Sequence, residues 1–467
     1  PTRPASGATL GDGTAASCTE AGLDVALEAG GLIQFKCGTD PVTVALTHEH
    51  FVRNGTWLDG GGLVTFDGND QTRMFRTEND GLTVFEDLRF IRGFSDGHDW
   101  ETERGGGAAI YRGWMGELYV LGCTFEDNEA KDGVGGGAVS TDSGGLNVIV
   151  DSTFLRNTTA GTGGGFYSVL SDLYIVNSTF SDNHADDFGG GISVDGAIEA
   201  PDQAHPDRMG GPLQICGGRF ERNSAKGSGG GATMYGWRAD AEHTDKVLVQ
   251  DSLFADNELA AGDGYGGGLY ANSLVTIRNC TFARNHATTS GGGVWVNGDV
   301  TIENTTVYQN RTEFSGGGIA AQDGSMRLRH VTVAHNSTGT LYGGAGGVVS
   351  APPPMITLYA DDTIIAWNTV DEGGWVYNCL HGFQGAGNVE YLDPAIGDPT
   401  SLAQCREGFI VADPQFAAEL ADNGGPVPTL AIAASSAAAG AGQSCDGTDA
   451  RGQARPATAC AAGAYQP

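Results

Sequence analysis

Val275-Thr-Ile-Arg-Asn-Cys-Thr-Phe-Ala-Arg-Asn285, followed six residues later by Gly291-Gly-Gly-Val294, decides the fold. Apolar residues alternate with polar ones over spans too short for a helix, and β-branched types are common, so the stretch reads as short strands. The same two signatures recur along the chain. The aromatic or aliphatic residue three before an Asn appears as Phe125/Asn128, Phe154/Asn157, Phe180/Asn183, Phe220/Asn223, Phe254/Asn257, Phe282/Asn285, Val307/Asn310 and Val333/Asn336. Gly triplets begin at Gly105, Gly135, Gly163, Gly189, Gly229, Gly266, Gly291 and Gly316, each followed by an apolar residue. Successive Phe or Val positions lie 29, 26, 40, 34, 28, 25 and 26 residues apart, so the unit is about 25 residues with insertions in particular copies.

Such a period means stacked units whose strands satisfy one another's backbone groups at about 4.8 Å. The expected fold is all-β, a right-handed single-stranded parallel β-helix of about ten or more coils. The Phe column becomes an interior aromatic stack and the Asn column a hydrogen-bonded ladder at a corner. Gly fits where a coil turns sharply or needs φ > 0. Residues 1–40 are expected to form an N-terminal cap and first strand, because Leu23, Ala26 and Leu27 have helical spacing behind Ser17 to Thr19 and stop at Gly30-Gly31. Residues 41–370 form the β-helix, with insertions at 94–104, 195–212 and 234–246, and residues 371–467 a loop-rich C-terminal cap.

Gly supplies 76 of 467 residues, about 16% against the roughly 7% usual in proteins, which the repeat explains. Lys+Arg 25 against Asp+Glu 57 gives a net charge of −32, so nucleic-acid binding is excluded. No apolar run reaches the roughly 18 residues of a membrane span, so no membrane insertion by this chain is expected. The chain starts at Pro1 and reads as a mature protein whose signal peptide has been removed. Nine Cys without a C-x-x-C spacing indicate an oxidising compartment. The expected pairs are Cys18 with Cys37, Cys379 with Cys405, and Cys445 with Cys460. Cys123 and Cys280 stand two before the repeat Phe, where other copies carry Ser, and are expected to be small buried residues.

The Gly-Gly-[Ala/Ile/Val] and Phe-x-x-Asn pair, over roughly residues 100 to 340, resembles the repeats of bacterial right-handed parallel β-helix proteins similar to chlamydial polymorphic outer-membrane proteins. Ala412-Asp-Pro-Gln-Phe416, Ala421-Asp-Asn-Gly-Gly-Pro426, Thr429-Leu-Ala431 and Thr448-Asp-Ala-Arg-Gly452 through Gly463-Ala-Tyr465 resemble the end of bacterial choice-of-anchor β-helix proteins. Together these resemblances imply an extracellular or surface-displayed bacterial protein and imply no reaction. The polymorphic proteins carry a membrane β-barrel after the passenger, and no such segment is present up to Pro467.

Insertions on a solenoid project from one face, so chemistry is sought there. Trp100, Tyr111, Arg112, Trp114, Tyr235 and Trp237 are the expected substrate contacts, since sugar rings stack on aromatic faces while hydroxyls take polar partners. The expected partner is a polysaccharide or cell-surface glycan, bound by a monomeric adhesion scaffold. The alternative is a polysaccharide lyase or glycoside hydrolase, with the carboxylates Asp207 and Asp240 (Asp195 and Glu242 nearby), His243 or Lys246 as base, and Arg238 or Arg208 as neutraliser. Of the Asn-Thr-Asp, Asp-Asp and Gly-His-Gly set of pectin-degrading β-helix hydrolases only Asp186-Asp187 is present, so that assignment is set aside. No cofactor is required. Asp67-Gly-Asn-Asp70 and Asp446-Gly-Thr-Asp449 place hard oxygen ligands on turns and are candidate structural Ca²⁺ sites through Asp67, Asp70, Asp446 and Asp449. His48-Glu-His50 lies in an extended segment without the helical i, i+4 spacing of a metalloprotease motif and is assigned no metal.

Overall fold

A computed structural model describes residues 1–97, 105–131, 133–197, 211–237, 246–260, 262–340, 344–372, 375–391, 405 and 408–467. These fall into two compact units. The first comprises residues 1–214 with 223–225 and 232–245; the second comprises 215–222, 226–231 and 246–467.

One coil of the first unit shows how sequence becomes structure. Phe166–Val169, Asp172–Val176, Thr179–Ser181 and His184–Ala185 are strands joined by tight corners. Their alternation buries Phe166, Leu173, Ile175, Phe180 and Ala185 completely while the intervening residues face out. Each strand pairs in parallel with its equivalent in the preceding coil, Phe166 opposite Val139, Leu173 opposite Asn147 and Phe180 opposite Phe154. A coil cannot bury its own hydrophobic face; stacking supplies the cover.

The Phe column is the interior stack expected from the repeat. In the first unit Phe90, Phe125, Phe154 and Phe180 lie face to face with ring centroids 4.5 to 4.7 Å apart and interplanar angles of 5 to 14°. In the second unit Phe220, Phe254 and Phe282 also stack, with centroids 4.7 and 4.9 Å apart, after which Val307 and Val333 take the position. Three residues on, Asn128 donates from Nδ2 to Asn157 Oδ1 (2.8 Å), Asn157 to Asn183 (2.9 Å) and Asn183 to Asn223 (2.9 Å). The second unit repeats this from Asn257 through Asn285, Asn310, Asn336 and Asn368 to Asn378, where the ladder ends on the buried carboxylate of Glu390. The residue before each ladder Asn from Asn128 to Asn368 takes the left-handed conformation, as at Asp127, Arg156 and Asp182, which makes the corner sharp enough to turn the amide inward.

Two positions show what the Gly triplets do. Gly163 has φ +68°, and a Cβ on the neighbouring Gly164 would sit 2.2 Å from the Gly190 carbonyl oxygen of the adjoining coil. One glycine permits the turn and the next permits the close approach of two backbones.

At the start of the first unit, the helix Glu20–Ala29 buries Leu23, Ala26 and Leu27 and is capped by Thr19, whose hydroxyl accepts from Gly22 N. Gly30, at φ +65°, ends it. Gly7–Leu10 and Leu32–Phe35 pair beneath this cap, and Cys18 is bonded to Cys37. Cys379–Cys405 and Cys445–Cys460 also form as expected. Cys123, Cys216 and Cys280 are free thiols; burial pushes Cys123 and Cys280 up to about 12, leaving them unreactive at neutral pH.

Within the second unit the C-terminal segment lies along the coils. Val427 packs on Leu253 and Ala255, Leu430 on Tyr308 and Ala334, and Ile432 on Ile364 and Ala366. Thr281 Oγ1 donates to the Pro428 carbonyl at 2.6 Å, and Ala464 N donates to Thr332 Oγ1. In the first unit the corresponding outward positions include Thr124 and Glu126, the latter paired with the exposed Arg89 and Arg156. The exchange of charged residues for Leu, Ala and Ile on that face provides the surface that the tail covers.

Candidate functional site

The strand that follows each Gly triplet builds one face of the first unit. Ile110–Arg112, Val139–Thr141, Phe166–Val169, Ile192–Asp195 and Ala232–Tyr235 pair in register, so Tyr111, Ser140, Tyr167, Ser193 and Thr233 form one outward column. The turns after these strands stack as well, and they carry the aromatic and acidic residues.

At one end of this face Tyr235 and Trp237 meet edge to face, with centroids 5.8 Å apart at 71°. Trp237 is 54% exposed and Tyr235 37% exposed. The indole lies against Gly196, where an added Cβ would come within 2.3 Å of the ring, and its N–H donates to the Asp195 carboxylate. Asp195 pairs directly with Tyr235 in register. Partial burial raises the Asp195 pKa despite the indole bond, and desolvation raises Asp187 likewise. Tyr167, first by burial and then by the charges of Asp195, Asp142 and Asp187, is pushed up to about 12. A side-chain hydrogen bond with Thr162 opposes that shift.

The remaining aromatic candidates lie elsewhere or inside. Trp114 is exposed, but it occupies the turn four coil steps from Gly236, about 19 Å at the spacing of paired strands, and does not join the Tyr235–Trp237 pair. Tyr111 and Arg112 are not sugar contacts. Tyr111 is buried beneath Arg73, whose guanidinium sits 5.3 Å over its ring, and its hydroxyl donates to Asp142 at 3.2 Å. Arg112 is fully enclosed, donating to the Gly113 carbonyl and Ser171 Oγ, and burial lowers its pKa to about 10. Trp100, Asp207, Arg208, Arg238, Asp240 and His243 lie outside the described residues.

The expected Ca²⁺ turns hold their charge against protein cations. Asp67 accepts from Arg92 and from Asn69 N, and Arg92 also faces Asp70 at 3.8 Å. Asp446 pairs with Arg329. Asp449 is completely buried and accepts from Arg451 Nε (2.8 Å) and from the backbone N–H groups of Arg451, Gln453 and Gln466. A carboxylate with that many donors has no lone pair directed at a cation, so Asp449 is a structural anion of the C-terminal segment.

Sequence reading named Asp195, Tyr235 and Trp237, met Asp187 only in a motif that was set aside, and passed over Tyr167 and Asp142. Their signal is positional. Once coils are aligned on the Gly triplets, Tyr167 falls in the outward column, and Asp142 follows Thr141 as Asp195 follows Val194, at the same register position two coils apart.

Residues 213–350 match the family described as a right handed beta helix region, and residues 177–195 match the Chlamydia polymorphic membrane protein repeat. The probable autotransporter YfaL of Escherichia coli (strain K12) is 26% identical over 246 residues, covering 47% of this chain and 18% of that protein. The chain thus spans under a fifth of this relative's length. Among solved structures, the Azotobacter vinelandii mannuronan C-5 epimerase AlgE6 A-module aligns over 82% of this chain and 91% of its own, at 16% identity and a TM-score of 0.35. The repeat, the parallel pairing and the two family matches identify a right-handed parallel β-helix repeat protein with repeats similar to those of polymorphic membrane proteins.

Proposed function

We propose that this chain is a secreted or surface-displayed β-helix that binds polysaccharide through the Tyr235–Trp237–Asp195 corner of its first unit. The observation that carries the reading is the exposed, edge-to-face aromatic pair held on Gly196 and oriented by a half-buried carboxylate. A pyranose presents an apolar C–H face to an indole and hydroxyls around its rim, and here the polar partner beside the indole is the Asp195 carboxylate. The repeat matches and three disulfides support export to an oxidising exterior. A net charge of −32 disfavours polyuronates, so the expected ligands are neutral glycans.

A catalytic reading draws on one further feature, the raised pKa of Asp187 and Asp195 beside a protonated Tyr167. A carboxyl whose pKa burial shifts upward is shifted in the direction that a general acid for a glycosidic leaving group requires. Incubation with a panel of neutral and uronate-containing polysaccharides distinguishes the two. Binding predicts quenching or enhancement of tryptophan fluorescence on addition of glycan with no new reducing ends. New reducing ends that disappear in Asp195→Asn would replace the adhesive reading by a catalytic one.

A further inference from the structure

The cap helix and the segment after the first coil bring together a set of ligating side chains that the aromatic face does not use. Glu20 stands in the first turn of the helix Glu20–Ala29, and Asp24 one turn later on the same face. Opposite them run Thr47, His48 and His50, the last opening the strand His50–Val52. Glu20 Oε1 lies 3.2 Å from His48 Nδ1 and 3.4 Å from His50 Nε2. One ligand atom from each of the three residues lies within 4.8 Å of the other two. Four-coordinate Zn²⁺, with bonds of about 2.0 to 2.1 Å, spaces its ligands about 3.3 Å apart, so the two measured separations match a tetrahedral edge.

Two details distinguish this group from a surface ion pair. The His50 side chain is 1% exposed, and its Nε2 faces the cluster with no hydrogen-bond partner. The opposite nitrogens of both rings turn to one atom, Asp24 Oδ1, at 2.9 Å from His50 Nδ1 and 3.3 Å from His48 Nε2. That is the outer-shell arrangement in which a carboxylate fixes the orientation of metal-bound imidazoles. Glu20 is itself held, accepting from Thr47 N (2.5 Å) and Thr47 Oγ1 (2.8 Å).

We infer that Glu20, His48 and His50 form a Zn²⁺ site, oriented by Asp24, that fastens the cap helix to the first coils. Glu20 Oε1, His48 Nδ1 and His50 Nε2 are the protein ligands, and the exposed side of His48 leaves the fourth position to water. Together with Cys18–Cys37 the site closes the end of the solenoid where a strand edge would otherwise be open.

The test uses the full chain, stripped with a chelator and returned to chelator-free buffer. Calorimetric titration with Zn²⁺ is expected to show one equivalent bound, and Co²⁺ is expected to give the visible absorption of a tetrahedral site. His48→Ala, at a half-exposed position that folding tolerates, and Glu20→Gln remove measurable binding, whereas Asp24→Asn weakens it by about tenfold to a hundredfold. Zn²⁺ raises the unfolding temperature of the parent but not of His48→Ala. No stoichiometric binding by the parent, or equal binding by parent, His48→Ala and Glu20→Gln, would overturn the assignment, as would loss of binding in Asp24→Asn alone.

Discussion

Replacing Asn285 by Ala tests the ladder at an interior rung. Its Nδ2 donates to Asn310 Oδ1 and to the Phe254 carbonyl, both at 2.9 Å. Its Oδ1 accepts from Asn257 N at 3.1 Å and from Asn257 Nδ2 at 2.8 Å. The amide therefore uses all four of its bonding directions, and it is fully buried. Deleting it takes this acceptor from two buried Asn257 donors, at about 1 to 3 kcal/mol each, so about 4 kcal/mol is expected at that coil. A solenoid destabilised at one coil opens there before it unfolds as a whole, so native-state hydrogen exchange is the appropriate assay. Amides of the coils carrying Asn257, Asn285 and Asn310 should exchange about a thousandfold faster, while Thr276→Ala, at an outward strand position, changes them little. Acceleration of less than about tenfold at Asn285→Ala, equal to that of Thr276→Ala, would refute the view that the ladder holds the corner.

Gly164→Ala should destabilise the first unit by about 3 kcal/mol or prevent its folding, because the new Cβ meets the Gly190 carbonyl at 2.2 Å; soluble yield and circular dichroism measure this. Glu390, buried beside Asn378 and Cys405 N, has its pKa raised by desolvation from 4.5 to about 7. The folded state then binds the proton more tightly than the unfolded chain, so this group's contribution to stability is full below about pH 4.5 and is lost, by up to about 3 kcal/mol, as pH rises through about 7. Urea unfolding should show this slope in the parent and lose it in Glu390→Gln. Cys445→Ala with Cys460→Ala should loosen the C-terminal segment by about 2 to 4 kcal/mol, read as faster proteolysis after residue 440 with the coils intact.

Much of the fold is legible because a stacked repeat converts sequence spacing directly into vertical contact. Phe125, Phe154 and Phe180 recur at one position and so must lie over one another, and the same holds for Asn128, Asn157 and Asn183. Even the coil past Pro352-Pro-Pro354 announces itself, since Ile365 and Asn368 keep the spacing. Side-chain fate was harder to read. Tyr111 stands in the outward strand column, yet Arg73 covers its ring, while Arg112, the next residue along the strand, falls in the inward column with Ser168 and Val194; composition reveals neither. Asp449 looks like a calcium ligand in a turn until Arg451, two residues away, is seen to occupy it. His48 and His50 lacked helical spacing on their own segment; their carboxylate partners come from the cap helix, 24 to 30 residues earlier, a proximity set by the cap rather than by the repeat.

Retention on immobilised neutral polysaccharides, compared between the parent and Tyr235→Ala/Trp237→Ala, tests the proposed function most directly. Both side chains are exposed and lie outside the interior stack, so the double variant should keep the parent's circular dichroism and unfolding temperature. The binding account predicts that the parent is held back on at least one glycan and that the variant elutes with the void volume. Equal elution of the two proteins on every glycan would contradict it.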